Sequence, residues 1–203
     1  MLEAYQRTAL SDRYALPASM PATQDPHLLA DWREGLAILN LRGPGDDPGF
    51  RAAVGYAISL ELPGAAPSTS ARQQLRVIRT GPDEWFLIGQ APSTHVLGDA
   101  LRMALTGLHH AVTDVSGGYV VMNLAGPAAR EVLAAGCPLD LHPRAFGPGS
   151  SAASHYFKAP IVMWQTDTLP SFEVMVRSSL AGYFRLMLER SSRECGLVTR
   201  RSA

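Results

Sequence analysis

The chain is 203 residues long and 46% hydrophobic, and it carries 18 basic against 18 acidic side chains, a formal net charge of zero. That apolar content can bury a core and excludes wholesale disorder, while the missing basic excess argues against nucleic-acid binding. No apolar run approaches the ~20 residues of a membrane helix, and the opening MLEAYQRTALSDRY lacks the apolar centre of a secretory signal.

Two cysteines, Cys137 and Cys195, make no disulfide framework, which points to reduced thiols and a cytoplasmic setting. A chain without a charge excess also has little to keep it from associating with another surface.

Residues 1–30 read as an N-terminal arm. Tyr5, Leu10, Tyr14 and Leu16 punctuate scattered Pro, Ser and Thr without periodicity, so the arm either hugs its own surface or lies on a partner subunit. Trp32 and then Leu36–Leu41 lead into the first strand of a unit spanning 31–116. Gly43-Pro44-Gly45 turns the chain, Asp47 is placed to cap a helix, and Pro48 fits its first position. Phe50, Ala53, Val54, Ala57 and Ile58 recur at helical spacing. Leu60–Ser70 is a Pro/Gly/Ser loop. Leu75, Val77 and Ile78 begin a strand, Gly81–Glu84 turn, and Trp85–Ile88 return as the second arm of a hairpin. Ser93 or Thr94 can cap a helix bearing Leu97, Leu101, Leu105 and Leu108, and Ala111–Val115 is a short strand.

The order then recurs over 117–190. Tyr119–Leu124 is β-branched and apolar, a strand. Pro127 starts a helix over Ala128–Ala135, with Arg130 and Glu131 facing water and Gly136 placed for a left-handed cap. Pro138–Ser154 is a loop. His155–Trp164 holds a strand interrupted by Pro160, which suggests an edge position or a bulge. Phe172–Val176 alternates as a strand. Ser178 or Ser179 can cap a last helix carrying Leu180, Tyr183, Phe184, Met187 and Leu188. Residues 191–203 read as a polar, frayed C-terminal tail.

The two units share more than order. Ala37–Pro44 and Val120–Pro127 both carry Asn-Leu-x-Gly-Pro at an offset of 83 positions, and Gly98–Leu105 against Ala181–Leu188 repeats that offset. An internal duplication follows, with a fold class of α+β built from two tandem ferredoxin-like (split βαβ) units.

Several stretches also resemble a known family. Gly81-Pro82-Asp83-Glu84-Trp85, Asp114-Val115-Ser116, Leu124–Leu133 and above all Cys137-Pro138-Leu139-Asp140-Leu141-His142-Pro143 are similar to the gamma-subunit family of heterotetrameric sarcosine oxidases. The likeness runs from about Gly35 to Arg190. The Gly-Pro-x-Ala segment also resembles the folate-binding aminomethyltransferase of the glycine cleavage system. The resemblance implies a non-catalytic subunit assembled with alpha, beta and delta chains, in a complex that oxidatively demethylates sarcosine. It implies that FAD, FMN, NAD, zinc and tetrahydrofolate sit on those partners and that this chain binds no cofactor. No catalytic, cofactor-binding or metal-binding residue is carried over.

The residues by themselves assemble no catalytic set. Gly43-Pro44-Gly45 is the nearest approach to a dinucleotide loop, but its Pro and the following Asp46-Asp47 suit neither phosphate nor negative charge. Cys137 with His142 and His109-His110 lack paired zinc spacing. Cys137 stands at a helix C-terminus, where the dipole disfavours a thiolate, and reads as a buried structural thiol. Asp114 and Ser116 read as a turn, and Asp83-Glu84 as a solvated hairpin tip. Arg130 and Arg144 read as solvated charges, and Trp85 and Trp164 as core, though either tryptophan could anchor an interface. Three functions stay open: a structural subunit of sarcosine oxidase, a free-standing folate-binding or aminomethyl-transferring domain, and the equivalent subunit of another N-methyl amine demethylase.

Overall fold

The computed structural model describes residues 27–64, 69–72, 74–91, 93–195 and 197–201. The expected arm therefore lies almost wholly outside the described residues. Contacts divide the chain into two units: Gly35–Ser116 with Gly149–Ala152, and a second made of the chain up to Glu34, Gly117–Pro148 and Ala153 onward.

The first unit holds β2 (Leu36–Arg42), α1 (Pro48–Ile58), β3 (Thr69–Arg72), β4 (Leu75–Gly81), β5 (Glu84–Gln90), α2 (Ser93–Ala104) and β6 (Ala111–Asp114). Its sheet runs β3-β4-β5-β2-β6, and every neighbouring pair is antiparallel. Apart from the added edge strand β3, this is the split βαβ order expected, with β5 between the strands that α1 connects. β3 falls in what reads as loop up to Ser70.

Asp47 caps α1, its carboxylate accepting from Gly49 N at 2.6 Å and Phe50 N at 3.1 Å, with Pro48 following. The helix closes on Ser59 in the left-handed region at φ 52°. Alternate residues of the strands, Leu39, Leu41, Val77, Trp85 and Leu87, face Phe50, Val54 and Ile58 of α1 and Leu101 of α2 in one buried cluster. Each fully buried side chain of this kind contributes about 1.5–3 kcal/mol.

The second unit holds β1 (Leu28–Arg33), β7 (Tyr119–Ala125), α3 (Ala129–Ala134), β8 (Ser151–Tyr156), β9 (Ala159–Gln165), β10 (Ser171–Arg177), α4 (Ala181–Ser191) and β11 (Leu197–Arg201). Its sheet runs β11-β1-β7-β10-β9-β8. The split βαβ core β7-β10-β9 is present and antiparallel. The place beside β7 that a fourth strand would take is filled by β1, antiparallel to β7, and β11 joins as a parallel strand on its far side. Two expectations are corrected here. Leu28–Ala30 are strand rather than arm, because Leu28, Ala30 and Trp32 alternate into the core. Leu197–Arg201 are strand rather than frayed tail, because β1 offers them a free edge.

Four local expectations also change. The single strand over His155–Trp164 is a hairpin, β8 and β9, turning at Phe157-Lys158 with Phe157 at φ 50°. Pro160 then sits in an interior strand, just before the Ile161–Gln165 register with β10, where it breaks none of those pairings. Gly136 adopts no left-handed cap, for the C-cap is Ala135 in the right-handed region. Glycine is required there because a Cβ would meet the rings of Phe157 and Tyr156. Ser178 does not cap α4. A 3-10 turn, Ser178–Leu180, precedes that helix, and the Ser178 hydroxyl donates to Gly117 O at 3.1 Å. Among the described residues no helix is long and apolar enough to cross a membrane.

Candidate functional site

The motif Asn-Leu-x-Gly-Pro ends β2 and β7, and it does the same mechanical task in each unit. The Gly43 N–H donates to Asp83 O at 3.1 Å, and the Gly126 N–H donates to Pro170 O at 3.2 Å, so each glycine ties its strand end to the hairpin turn beside it. The constant helix offset of 83 does not carry through, since α2 begins at Ser93 and α4 at Ala181. The longer β9–β10 connection absorbs the difference.

Arg130 is the most engaged polar side chain that the sequence misplaces. It does not face water. Its guanidinium donates to Leu141 O, to Phe146 O at 3.0 Å and to Gln165 Oε1 at 2.8 Å, and it lies 5.1 Å over the Phe172 ring. Burial pulls its pKa below the usual arginine value. Gln165 is fully buried and donates on to Asp167 O at 2.6 Å. Arg130 thus pins the loop after α3, the Cys-Pro-Leu-Asp-Leu-His-Pro stretch, against the end of β9. A guanidinium whose donors are spent on carbonyls and an amide is a clamp rather than an anion receptor.

A second polar grouping lies across four strands of the second unit. The register sets Asp31 opposite Asn123, Asn123 opposite Glu173, and Glu173 opposite Trp164. Trp164 Nε1 donates to Glu173 Oε2 at 2.7 Å, and Arg33 lies 3.3 Å from Glu173 Oε1. Trp164 is buried, as expected, but it also holds a carboxylate. Glu173 escapes a reading of the sequence, because a single Glu in an alternating strand reads as the solvent face.

The remaining candidates sit apart. Glu84 does not simply face water: it accepts from Asn40 Nδ2 at 3.0 Å, Arg42 at 2.8 Å and Thr80 Oγ1 at 3.2 Å, while Asp83 lies 3.9 Å from Arg42. Asp114 and Ser116 do come together. The Ser116 hydroxyl donates to Asp114 Oδ1 at 2.5 Å while accepting from Ile38 N at 2.9 Å. An oxygen used in both directions joins a turn to a strand.

Cys137 is buried, its Sγ 3.6 Å from Ser154 Oγ, whereas His142 Nδ1 accepts from Arg144 N at 3.3 Å. His110 Nδ1 is 2.9 Å from Leu108 O. Trp85 is buried, with Nε1 3.4 Å from Pro63 O. Burial, then the Glu131 and Glu194 carboxylates, push the Cys195 thiol above the usual range. Among the described residues no three His, Cys, Asp or Glu side chains gather to hold a metal. The amides at the start of α1, after Gly43-Pro44-Gly45, are taken by Asp47, which does not fit the phosphates of a flavin or of NAD.

Comparison with known proteins gives this arrangement a family. The family model described as "Sarcosine oxidase, gamma subunit family" matches residues 42–194. A sarcosine oxidase subunit gamma from Arthrobacter sp. is 41% identical over 106 residues, 52% of this chain and 48% of the relative. One from Corynebacterium sp. (strain P-1) is 34% identical over 137 residues, 68% of this chain and 64% of the relative. The matched stretches thus span about half to two thirds of the length of these curated relatives. Among solved structures, a chain of heterotetrameric sarcosine oxidase from Corynebacterium sp. U-96 is similar with a TM-score of 0.79 at 27% identity, covering 97% of this chain and 94% of that one. The glycine cleavage system aminomethyltransferase T from Bartonella henselae shares the fold, with a TM-score of 0.61 at 15% identity over 86% of this chain and 48% of that one. The family match extends over most of both units, and the chain belongs to the sarcosine oxidase gamma subunit family.

Proposed function

We propose that the chain is a non-catalytic, structural subunit of a heterotetrameric sarcosine oxidase, assembled in the cytoplasm with alpha, beta and delta chains. The complex oxidises the N-methyl group of sarcosine with dioxygen and water, giving glycine, formaldehyde and hydrogen peroxide. With tetrahydrofolate present the carbon is captured as methylenetetrahydrofolate. FAD, FMN, NAD, zinc and tetrahydrofolate belong to the partner chains. The observation that carries the reading is the likeness over nearly the whole length of a chain from a heterotetrameric sarcosine oxidase. The site chemistry supports it. Arg130, Glu84 and Ser116 each spend their polar atoms on holding the fold.

Co-expression with the three partner chains tests this. The chain is expected to copurify in fixed proportion with flavin-bearing subunits, and the isolated chain to show no flavin absorbance and no sarcosine-dependent peroxide. Peroxide production by the isolated chain overturns the non-catalytic role. Saturable tetrahydrofolate binding to the isolated chain, measured by calorimetry, promotes the folate-domain reading instead.

A further inference from the structure

The chain holds one lysine among its 18 basic side chains, and all the others are arginine. That lysine, Lys158, is exposed at the tip of the β8–β9 hairpin. The tip is firmly held. Phe157 N donates to Gly136 O at 2.8 Å, the Phe157 ring meets the Tyr156 ring edge-on at 5.0 Å, and Lys158 N donates to the Tyr183 hydroxyl of α4 at 3.3 Å. The hydroxyl end of the half-buried Tyr183 ring therefore stands beside Lys158, and the flexible lysine stem is long enough to fold back onto it. Among the described residues Lys158 enters no ion pair that would hold its amine elsewhere.

An amine and a phenol side by side have a chemistry that neither has alone. A lysine amine condenses with a carbonyl carbon to an imine, whereas an arginine stays protonated and is the poorer nucleophile. The imine of a small aldehyde reverts in water unless a second nucleophile traps it. The ring carbons next to a phenol hydroxyl are such a trap. Tyr156 is nearer in sequence but is fully buried, with its O–H donated to Val132 O at 3.0 Å. Tyr56 belongs to the first unit, which has no lysine.

We propose that Lys158 and Tyr183 form a capture site for a small aldehyde, formaldehyde, which ends as a methylene bridge between the Lys158 amine and the Tyr183 ring. For its source of aldehyde the proposal rests on the subunit reading above. The unprotonated Nζ adds to the carbonyl carbon to give a carbinolamine, and loss of water leaves a carbon–nitrogen double bond. A ring carbon beside the Tyr183 hydroxyl bonds to that methylene carbon. The electron pair of the double bond moves to Nζ, which takes up a proton, and the ring carbon releases its own proton. The net change is the gain of one formaldehyde and the loss of one water, so the chain gains a single carbon atom and needs no oxidant or reductant. The bridge joins residues 25 positions apart, the hairpin tip and α4, and so restrains the unfolded chain as any covalent cross-link does.

The probe is formaldehyde itself, added in millimolar amount to the purified full chain and then dialysed away so that reversible adducts are lost. Peptide mapping is expected to show one linked pair, a peptide with Lys158 joined to a peptide with Tyr183, heavier than the two together by one carbon atom. The bridged chain is expected to melt above the untreated one. Lys158→Arg and Tyr183→Phe are each expected to lose the pair, and the wild-type map decides the question by itself should a variant fold poorly. No linked pair in the wild type, or Lys158 bridged to another residue, overturns the proposal. A second arm lets the assembled oxidase turn over sarcosine. The same pair is expected without tetrahydrofolate, and severalfold less of it with tetrahydrofolate in excess. Peroxide release without the pair overturns capture of the complex's own product. If the assembled complex releases no sarcosine-dependent peroxide, the subunit reading falls instead, and the first arm still judges the site.

Discussion

The two units carry out one plan with different parts. In the first, the sheet is completed by strands that follow one another between Leu36 and Asp114. In the second, β1 comes from ahead of the first unit to sit between β7 and β11. Both units put an aromatic at the same sheet position, Trp85 opposite Leu41 and Phe172 opposite Leu124, with a second ring and a guanidinium packed near it. In the first unit these are Phe50 at 5.9 Å and Arg79 at 5.8 Å, in the second Phe146 at 6.2 Å and Arg130 at 5.1 Å. Arg51 and Arg130 each reach from the first helix to carbonyls of the loop that follows it. The lesson is that a duplicated strand motif can keep its task while the residues completing its surroundings are recruited from elsewhere.

The glycines of the repeat break this parallel most sharply. At Gly126, φ is +127° and a Cβ would lie 2.5 Å from His27 O, a backbone atom. At Gly43 a Cβ would overlap the Phe50 ring, which can move. Gly126→Ala is expected to cost roughly 3–5 kcal/mol and Gly43→Ala about 2–3 kcal/mol, read from urea midpoints. Equal losses would mean that the borrowed strand is not what Gly126 makes room for.

A smaller effect concerns the clamps. Arg130→Met leaves buried Gln165 and two carbonyls short of donors, which costs roughly 2 kcal/mol. Protease nicking between Leu141 and Phe146 should increase. Unchanged nicking would show that the loop holds without Arg130.

Titration should single out the second unit. Burial holds the Tyr156 phenol above its usual value of 10.0, and its O–H donates to Val132 O at 3.0 Å. The folded state keeps a proton that the unfolded chain releases. Stability is therefore full below a pH of about 10 and falls as pH rises from there through the raised native value. Tyr156→Phe is expected to cost about 1 kcal/mol at neutral pH and to flatten that alkaline decline in thermal melts.

The smallest change tests the caps. Asp47→Ala removes two amide contacts at the start of α1 and should cost about 1 kcal/mol. Ala128 of α3 offers no such side chain to lose.

What the sequence shows well is what is written locally. Asp47-Pro48 marks a helix start, Trp85–Ile88 a strand, and the repeated Asn-Leu-x-Gly-Pro a duplication, and all three are present. Long-range partners are another matter. Leu28, Ala30 and Trp32 alternate like a strand, but nothing nearby names β7 and β11 as their neighbours. The β8–β9 turn escapes because Phe157 and Lys158 lack the Gly or Asn that such a backbone usually takes. Arg130 escapes because its acceptors are carbonyls, which any residue supplies. Glu173 escapes because its donor, Trp164, becomes a neighbour only once β9 and β10 pair.

The insertion of the first unit into the second has a consequence for how the protein is made. Leu28–Arg33 leaves the ribosome before the whole of the first unit, yet both of its neighbours, Tyr119–Ala125 and Leu197–Arg201, are made only after that unit. The first unit is nearly continuous and can collapse during translation. The second must hold an apolar strand in waiting until the first unit has been made, with the slow kinetics of distant pairing. Chaperone demand during synthesis therefore falls on that half of the molecule.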